Sequence, residues 1–290
     1  MKTQPTDHRD CGQVANTARD LLSAPPALSD QEFAHFQRFI FDAAGITLAD
    51  SKKMLVSSRL GGRVQHHGLG SFAQYFRLLH SGESPAEVQR AIDLLTTNET
   101  YFFREPRHFE FLQRHVAEMP VRQAPIRVWS AAGSTGEEAY SIAMLFEDRL
   151  QGRPWEIIAS DISTRVLDRA RAGHYPMERA RHVPRAYLQR FCLKGTGKLQ
   201  DTLLVGRELR SKVSFLQINL NDRLPAIGTF DYVFLRNVMI YFNLQTKREV
   251  VARVLSVLQP GGWLFIGHSE NLNGISDAVK AVAPAIYRKL

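Results

Sequence analysis

The chain has only two cysteines in 290 residues, Cys11 and Cys192, far apart and without CxxC spacing or a nearby histidine pair. A disulfide framework is therefore excluded, a zinc site has no support, and no metal is expected. No apolar run is long enough to span a bilayer, and the first thirty residues carry scattered charges without an apolar signal core. Neither membrane insertion nor secretion is indicated, and the expected location is cytoplasmic. Acidic residues are absent from Ser51 to Gly82. That gap leaves Lys52, Lys53, Arg59, Arg63 and Arg77 without local counter-ions, which suits docking on an acidic helix or on phosphates, although a solvated helix face has the same pattern. Overall, 37 basic residues against 29 acidic ones give a formal charge of +8. An acidic partner follows, but charge alone does not choose among nucleic acid, anionic lipid and protein. What is plentiful is apolar content, 44%, enough for a core in one large or two smaller domains.

Residues 1–26 are polar, aperiodic and end in Pro25 and Pro26, which predicts a flexible tail. After Ser29 and Asp30, Phe33, Phe36, Ile40 and Phe41 recur at helical spacing, and Gly45 closes that helix. A second helix is expected from about Asp50, with Lys52, Arg59 and Arg63 on one stripe. Gly61 and Gly62 oppose it, at a cost of roughly 1 kcal/mol each relative to alanine, so packing must compensate or the helix breaks there. A third amphipathic piece runs through Phe72, Tyr75, Phe76 and Leu79, followed by a linker and a helix from about Ala86. The divisions predicted are a helical domain over 27–85, a linker helix over 86–97 and an α/β domain over 98–290.

The informative stretch of the second half is Ile126–Ser141, IRVWSAAGSTGEEAYS, a buried-strand pattern followed by a small-residue turn and a helix. Ala131, Gly133 and Gly136 have the spacing of a dinucleotide turn and would let the backbone approach a ligand. Glu137 and Glu138 oppose that ligand, because they put negative charge where a pyrophosphate would sit. A ligand with a cationic end and no phosphate fits better, and S-adenosylmethionine, with its ammonium and sulfonium groups, is one. Strands are expected at 126–130, 156–160, 213–217, 231–235 and 263–267, alternating with helices as an open, doubly wound α/β sheet. Polar residues fall at their carboxyl ends, where such sheets bind ligands: Ser134 to Glu138, Asp161, Asn219, then Arg236 and Asn237. Asp161 suits ribose hydroxyls or a helix N-cap, and Arg236 after FDYVFL is costly unless paired or facing a cleft. Pro260 to Gly262 predict a turn into the last strand, and His268 beyond it is read as structural or as supporting the site residues from behind, since no nucleophile motif accompanies it. Between Phe191 and Phe215, Gly195 and Gly197 punctuate short β-prone runs, predicting an inserted antiparallel subdomain at about 190–217, whose edge could recruit a peptide.

Taken together, LLTTNETYFFRE, VWSAAGSTGEEAYSIA, ASDIS, FLRNVMIYF and QPGGWLFIGHSENL resemble the chemotaxis receptor methyltransferases, the CheR family, from about residue 30 to the C-terminus. The resemblance implies a small basic all-α domain, an S-adenosylmethionine-dependent, Rossmann-like methyltransferase domain and an inserted three-stranded β-subdomain. It also implies methyl esterification of glutamates on the cytoplasmic helices of chemoreceptors, with S-adenosylhomocysteine as product. Carried over by position, Asn98, Thr100, Arg104, one acid of the Glu137 and Glu138 pair (Glu138 favoured), Asp161, Asn219, Leu220, Arg236 and Asn237 would line the cofactor. Arg104 and Tyr241 would face the substrate carboxylate, and Lys52, Lys53, Arg59 and Arg63 would face the receptor. Gly61 and Gly62 stand where the family often has charged or bulky residues, which puts the docking detail in doubt. The GTGKLQDTLLVG connection resembles the kind that binds a receptor's C-terminal tail, and nothing suggests an obligate dimer.

A glutamate carboxylate is already ionised at neutral pH, so methyl transfer to it needs positioning rather than a strong base. Two rivals are a nucleic-acid methyltransferase and a non-catalytic cofactor sensor that docks on a receptor. The first would call for a motif such as Asn-Pro-Pro-Tyr where this chain has RNVMIY. Intact Arg104 and Tyr241 count against the second.

Overall fold

The computed structural model describes residues 26–120 and 122–290. Cys11 and all of the expected tail except Pro26 lie outside the described residues. Helix α1 (Asp30–Ala44) starts at a capping box, in which the Ser29 hydroxyl accepts from the Glu32 N–H while the Glu32 carboxylate accepts from the Ser29 N–H. It stops at Gly45 in the left-handed conformation. A single 3-10 turn, Asp50–Lys52, leads into α2 (Lys53–His66), which is followed by α3 (Phe72–His80) and α4 (Pro85–Leu95). Phe36, Ile40, Val56, Leu60, Tyr75 and Ala91 are fully buried where these four helices meet.

One expectation is corrected here, and one open alternative is decided. Helix α4 is not a linker: Ala91, Ile92 and Leu95 belong to the bundle core. Helix α2 does not break, because Gly61 is buried in its packed face and Val56, Leu60 and Val64 hold the helix to the bundle. Gly62 is exposed, and a Cβ added there would meet nothing within 4 Å. Gly62→Ala is accordingly expected to raise the unfolding free energy by about 1 kcal/mol, read as a higher urea midpoint at unchanged slope.

The rest of the chain follows in the order α5 (Pro106–Glu118), β1 (Ile126–Ser130), α6 (Glu137–Arg149), β2 (Trp155–Asp161), α7 (Thr164–Ala172), β3 (His174–Pro176), α8 (Arg185–Phe191), β4 (Cys192–Lys194), β5 (Thr202–Val205), α9 (Arg207–Arg210), β6 (Val213–Gln217), β7 (Phe230–Leu235), α10 (Leu244–Val257), β8 (Leu258–Ile266), β9 (Val279–Ala283) and β10 (Ile286–Lys289). The main sheet has the order β6-β2-β1-β7-β8-β10-β9. Its strands from β6 to β8 are parallel, and β10 pairs antiparallel with both β8 and β9. Apolar side chains cover both faces, with α5 and α6 contributing to one layer and α10 to the other, as parallel strands require. Chain order reverses between β1 and β7, so the carboxyl ends of those strands open a crevice.

The five strands expected from the sequence are present. Pro260 to Gly262, however, lie inside β8 as a bulge, since Phe230 pairs with Leu258 and Tyr232 with Trp263. The small antiparallel sheet is β3-β5-β4 and spans 174–205 rather than 190–217, while Val213–Gln217 is the edge strand of the main sheet.

The helical unit packs on the carboxyl end of the main sheet. The Thr47 N–H donates to the Tyr241 carbonyl at 2.8 Å and Asn219 Nδ2 to the Ala43 carbonyl at 2.8 Å. Asp93 accepts from the Thr164 N–H and hydroxyl at 3.0 and 2.8 Å. The fit is close at Gly45, where a Cβ would lie 2.8 Å from Thr246 Cγ2. Ala44 and Ile46, flanking that glycine, consequently form part of the crevice wall.

Candidate active site

The crevice is a cleft of about 840 Å³ counted to its open mouth. It brings together Asn98, Thr100, Arg104, Glu138, Asp161, Asn219, Leu220, Arg236, Asn237 and Tyr241. The loop after β1 places Ala131, Ala132 and Ser134 in the wall. Gly133 and Gly136 do not line it: Gly136, at φ 94, is demanded by helix packing, since a Cβ would stand 2.9 Å from Ala170 Cβ and 3.0 Å from the Tyr175 hydroxyl.

The two glutamates that open α6 have separate surroundings. Glu137 is fully buried away from the cleft, accepting from Thr135 Oγ1 at 2.6 Å and from Arg179 Nε at 2.7 Å. Glu138 lines the cleft, with Oε1 accepting from the Ser130 hydroxyl at 2.7 Å and Oε2 from Arg236 Nη1 at 2.8 Å. Arg236 is itself shared. Its Nη2 donates to the Arg104 carbonyl at 2.5 Å and lies 3.1 Å from Glu105 Oε2. Burial opposes ionisation of Glu105, but Arg236 and hydrogen bonds from the His268 N–H and Asn237 outweigh it and hold this carboxyl below its ordinary range. Behind it, fully buried His108 is held neutral, its pKa pushed down to about 3 by burial and by Arg236. One cation between two carboxylates leaves this wall with a net negative charge, the sign that a cationic ligand needs.

Asp161, at the end of β2, accepts from the Ser134 N–H and the Ser163 N–H, both at 3.0 Å. Burial pushes its pKa up to about 6 against those hydrogen bonds. Asn98 Nδ2, also in the cleft lining, is buried and has no partner among the described residues, although its backbone carbonyl accepts from the Ser134 hydroxyl at 2.8 Å. An orphaned buried donor at a cleft wall is a place for a ligand acceptor. Asn219 is fixed by Ala43 and Asp222, with Leu220 buried beside it. The donor set fits a nucleoside with a cationic tail: a carboxylate for the ribose, an amide donor, apolar Ile218 and Leu220, and a negative wall.

Arg104 donates from Nη1 to the Glu99 carbonyl at 2.9 Å and stands over the Tyr101 ring, 5.8 Å from its centroid, while its other N–H groups bond no described residue and its side chain lines the cleft. The Tyr241 hydroxyl makes no hydrogen bond to a described residue. Phe103, Glu105, Ser134 and Asn237 all have φ between 49 and 60, so the loops carrying these groups hold non-glycine residues in the left-handed region, a cost that marks functional loops.

The basic helix differs from expectation. Lys52 is exposed but sits in the 3-10 turn, off the α2 stripe. Lys53 pairs with Asp30 at 2.6 Å, and Arg63 forms two bonds to Glu87, at 2.8 and 2.6 Å, beside the Tyr75 hydroxyl. Arg59 donates to the Leu95 and Thr96 carbonyls at 2.9 and 3.0 Å. Arg59 and Arg63 are therefore tied to α4 and the segment after it, so α2 does not present a stripe of unbonded cations. Sequence reading also missed Ser130, Glu105 and Glu270 as site residues. All three stood inside the quoted motifs, and Glu270 accepts from the Asn237 and Gly267 N–H groups at 3.0 and 2.6 Å.

Among the described residues, no helix is long and apolar enough to cross a membrane. Residues 31–96 match the family model described as CheR methyltransferase, all-alpha domain, and residues 98–287 the one described as CheR methyltransferase, SAM binding domain. The chain is 42% identical over 285 residues to a chemotaxis protein methyltransferase of Escherichia coli (strain K12), covering 97% of this chain and 98% of that one. It is 43% identical over 272 residues to chemotaxis protein methyltransferase 2 of Pseudomonas aeruginosa, covering 90% and 96%. With two domain models matched in order and these relatives aligned almost end to end, the chain belongs to the CheR methyltransferase family, whose larger domain binds S-adenosylmethionine and whose members methylate in chemotaxis.

Proposed function

We propose that this enzyme esterifies glutamate side chains on the cytoplasmic helices of chemoreceptors, with Arg104 and Tyr241 presenting the acceptor. The reading is supported by the meeting of a largely free guanidinium and an unbonded phenol in the cleft that would hold the cofactor. A bound S-adenosylmethionine supplies an electrophilic methyl group. Arg104 attracts and orients the acceptor carboxylate, and the Tyr241 hydroxyl donates to one of its oxygens, leaving the other free to attack. No proton has to be removed, which agrees with Glu138 and Asp161 having their oxygens committed to other donors. Asp161 accepts from ribose hydroxyls, Asn98 Nδ2 donates to the base or sugar, and Glu138 fixes the cationic end. The exposed Lys52 contributes to receptor contact, and the edges of the β3-β5-β4 sheet offer a place for a receptor tail peptide.

The test is incubation with radiolabelled cofactor and receptor-containing membranes, followed by alkali. Volatile labelled methanol is the expected result. Alkali-stable label would indicate N-methylation, and no label a non-catalytic sensor.

Asp161 also gives a pH dependence. Ribose hydroxyls prefer the ionised carboxylate, and a group with pKa about 6 passes from mostly ionised at pH 7 to mostly protonated at pH 5. Cofactor affinity should therefore rise with pH through 6, by about tenfold between pH 5 and pH 7. The same raised pKa makes Asp161 a destabilising group at neutral pH: its contribution to folding is best below its ordinary pKa and is lost as pH rises through 6. Calorimetric titration of cofactor across this range checks the first statement, and Asp161→Asn should flatten the profile.

A further inference from the structure

Behind the segment that separates the helical unit from the methyltransferase domain lies a second cavity, about 830 Å³ to its open mouth, which shares Thr96, Thr97, Asn98 and Glu99 with the cleft. Its walls carry four arginines: Arg59 from α2, Arg165 and Arg169 from α7, and Arg179. Only Arg179 is neutralised, by buried Glu137. Arg59 is bonded to carbonyls and to the Thr97 hydroxyl, and Arg165 to the Asp93 carbonyl at 3.1 Å with its Nε buried and unbonded. The exposed Arg169 side chain has no partner among the described residues. Three guanidiniums thus face one cavity without a counter-ion, against the single exposed carboxylate of Glu99 at its rim. Like charges in a partly enclosed space repel, and an anion seated among them removes that cost. Arg59 lies within electrostatic reach of both Arg165 and Tyr241, so the cavity adjoins the place where the acceptor would be held.

We propose that this arginine cavity binds a second carboxylate of the acidic substrate helix while the acceptor carboxylate is at Arg104 and Tyr241. The inference rests on the glutamate-esterifying reading and assigns substrate selection to α7 as well as to the helical unit. Guanidiniums favour such a site because their planar donors match carboxylate oxygens two at a time. Among the described residues the Arg169 side chain makes no hydrogen bond and the Arg165 side chain only one, so both can be changed without dismantling the fold.

The experiment uses the full chain and a synthetic helical peptide with one acceptor glutamate and further glutamates one and two turns away. Arg165→Gln/Arg169→Gln is expected to raise the peptide KM at least tenfold while kcat and the cofactor Kd stay within twofold. Against a peptide whose flanking glutamates are glutamines, the variant and the parent should differ less than twofold. Arg207→Gln, a loss of one positive charge on α9 outside the cavity, should leave KM unchanged. A double-variant KM within twofold of the parent on the acidic peptide, or an equal rise on both peptides, overturns the proposal. Fluorescence anisotropy with a labelled acidic peptide whose acceptor is glutamine separates the two readings. A parent that binds this peptide but methylates neither peptide refutes the glutamate-esterifying reading, whereas equal binding by parent and double variant refutes the arginine cavity alone.

Discussion

Replacing Arg236 by alanine is expected to lower the melting temperature by about 10 °C and to abolish measurable cofactor binding. The guanidinium is almost wholly buried, and it bonds Glu138 at 2.8 Å, stands 3.1 Å from Glu105 and donates to the Arg104 carbonyl. Its removal leaves two buried carboxylates with no cation between them. Breaking a buried pair from one side costs roughly 3–5 kcal/mol, and at roughly 2–4 °C per kcal/mol for domains of this size the shift is about 10 °C. The carboxylates would respond by taking up protons, so the loss should shrink as pH falls from 7 towards 5. Calorimetric scans at both pH values read this directly. A variant melting within about 2 °C of the parent at pH 7 would mean that something other than Arg236 compensates Glu138. Glu138→Gln is the informative companion, because it keeps the Ser130 contact and leaves Arg236 with Glu105. It should melt closer to the parent yet bind cofactor weakly.

The parts of this site that can be read in the sequence are those governed by local pattern. Ile126, Val128 and Trp129 are apolar enough to announce β1, and Asp161 and Arg236 stand out as charged residues ending apolar runs. What the sequence conceals is pairing across distance. Arg59 and Arg63 look unneutralised because no acid occurs between Ser51 and Gly82, yet Glu87 of α4 and the carbonyls after it lie against them once the bundle forms. Glu137 and Glu138 are indistinguishable as letters. Helical geometry turns one towards Arg179 and the other into the cleft, and Arg179 belongs to no motif. Strand β3 is three residues, His-Tyr-Pro, too short to show alternation, so the pattern alone starts the small sheet too late in the chain. The glycines after β1 suggest ligand approach, whereas Gly136 answers to Ala170 and Tyr175.

Arg104→Ala should reduce kcat roughly 100-fold or more, and Tyr241→Phe should reduce it by a smaller factor of at least about tenfold, with cofactor Kd in both within about threefold of the parent. The separation follows from which atoms do what. It is the backbone carbonyl of Arg104 that holds Arg236, while the side chain makes a single bond to the Glu99 carbonyl. Truncation therefore leaves the Arg236 and Glu138 wall intact and removes only the charge offered to the acceptor. The Tyr241 carbonyl, bonded to the Thr47 N–H, is likewise unaffected by loss of the hydroxyl. Because that hydroxyl bonds no described residue, phenylalanine leaves no orphaned partner and the melting temperature should not move. If both groups act on one carboxylate, the double variant should lose less than the product of the single losses, as residues working as a unit do. Single-turnover rates beside calorimetric cofactor titration distinguish the cases. Cofactor binding abolished by Tyr241→Phe would move that residue from the acceptor side of the cleft to the donor side.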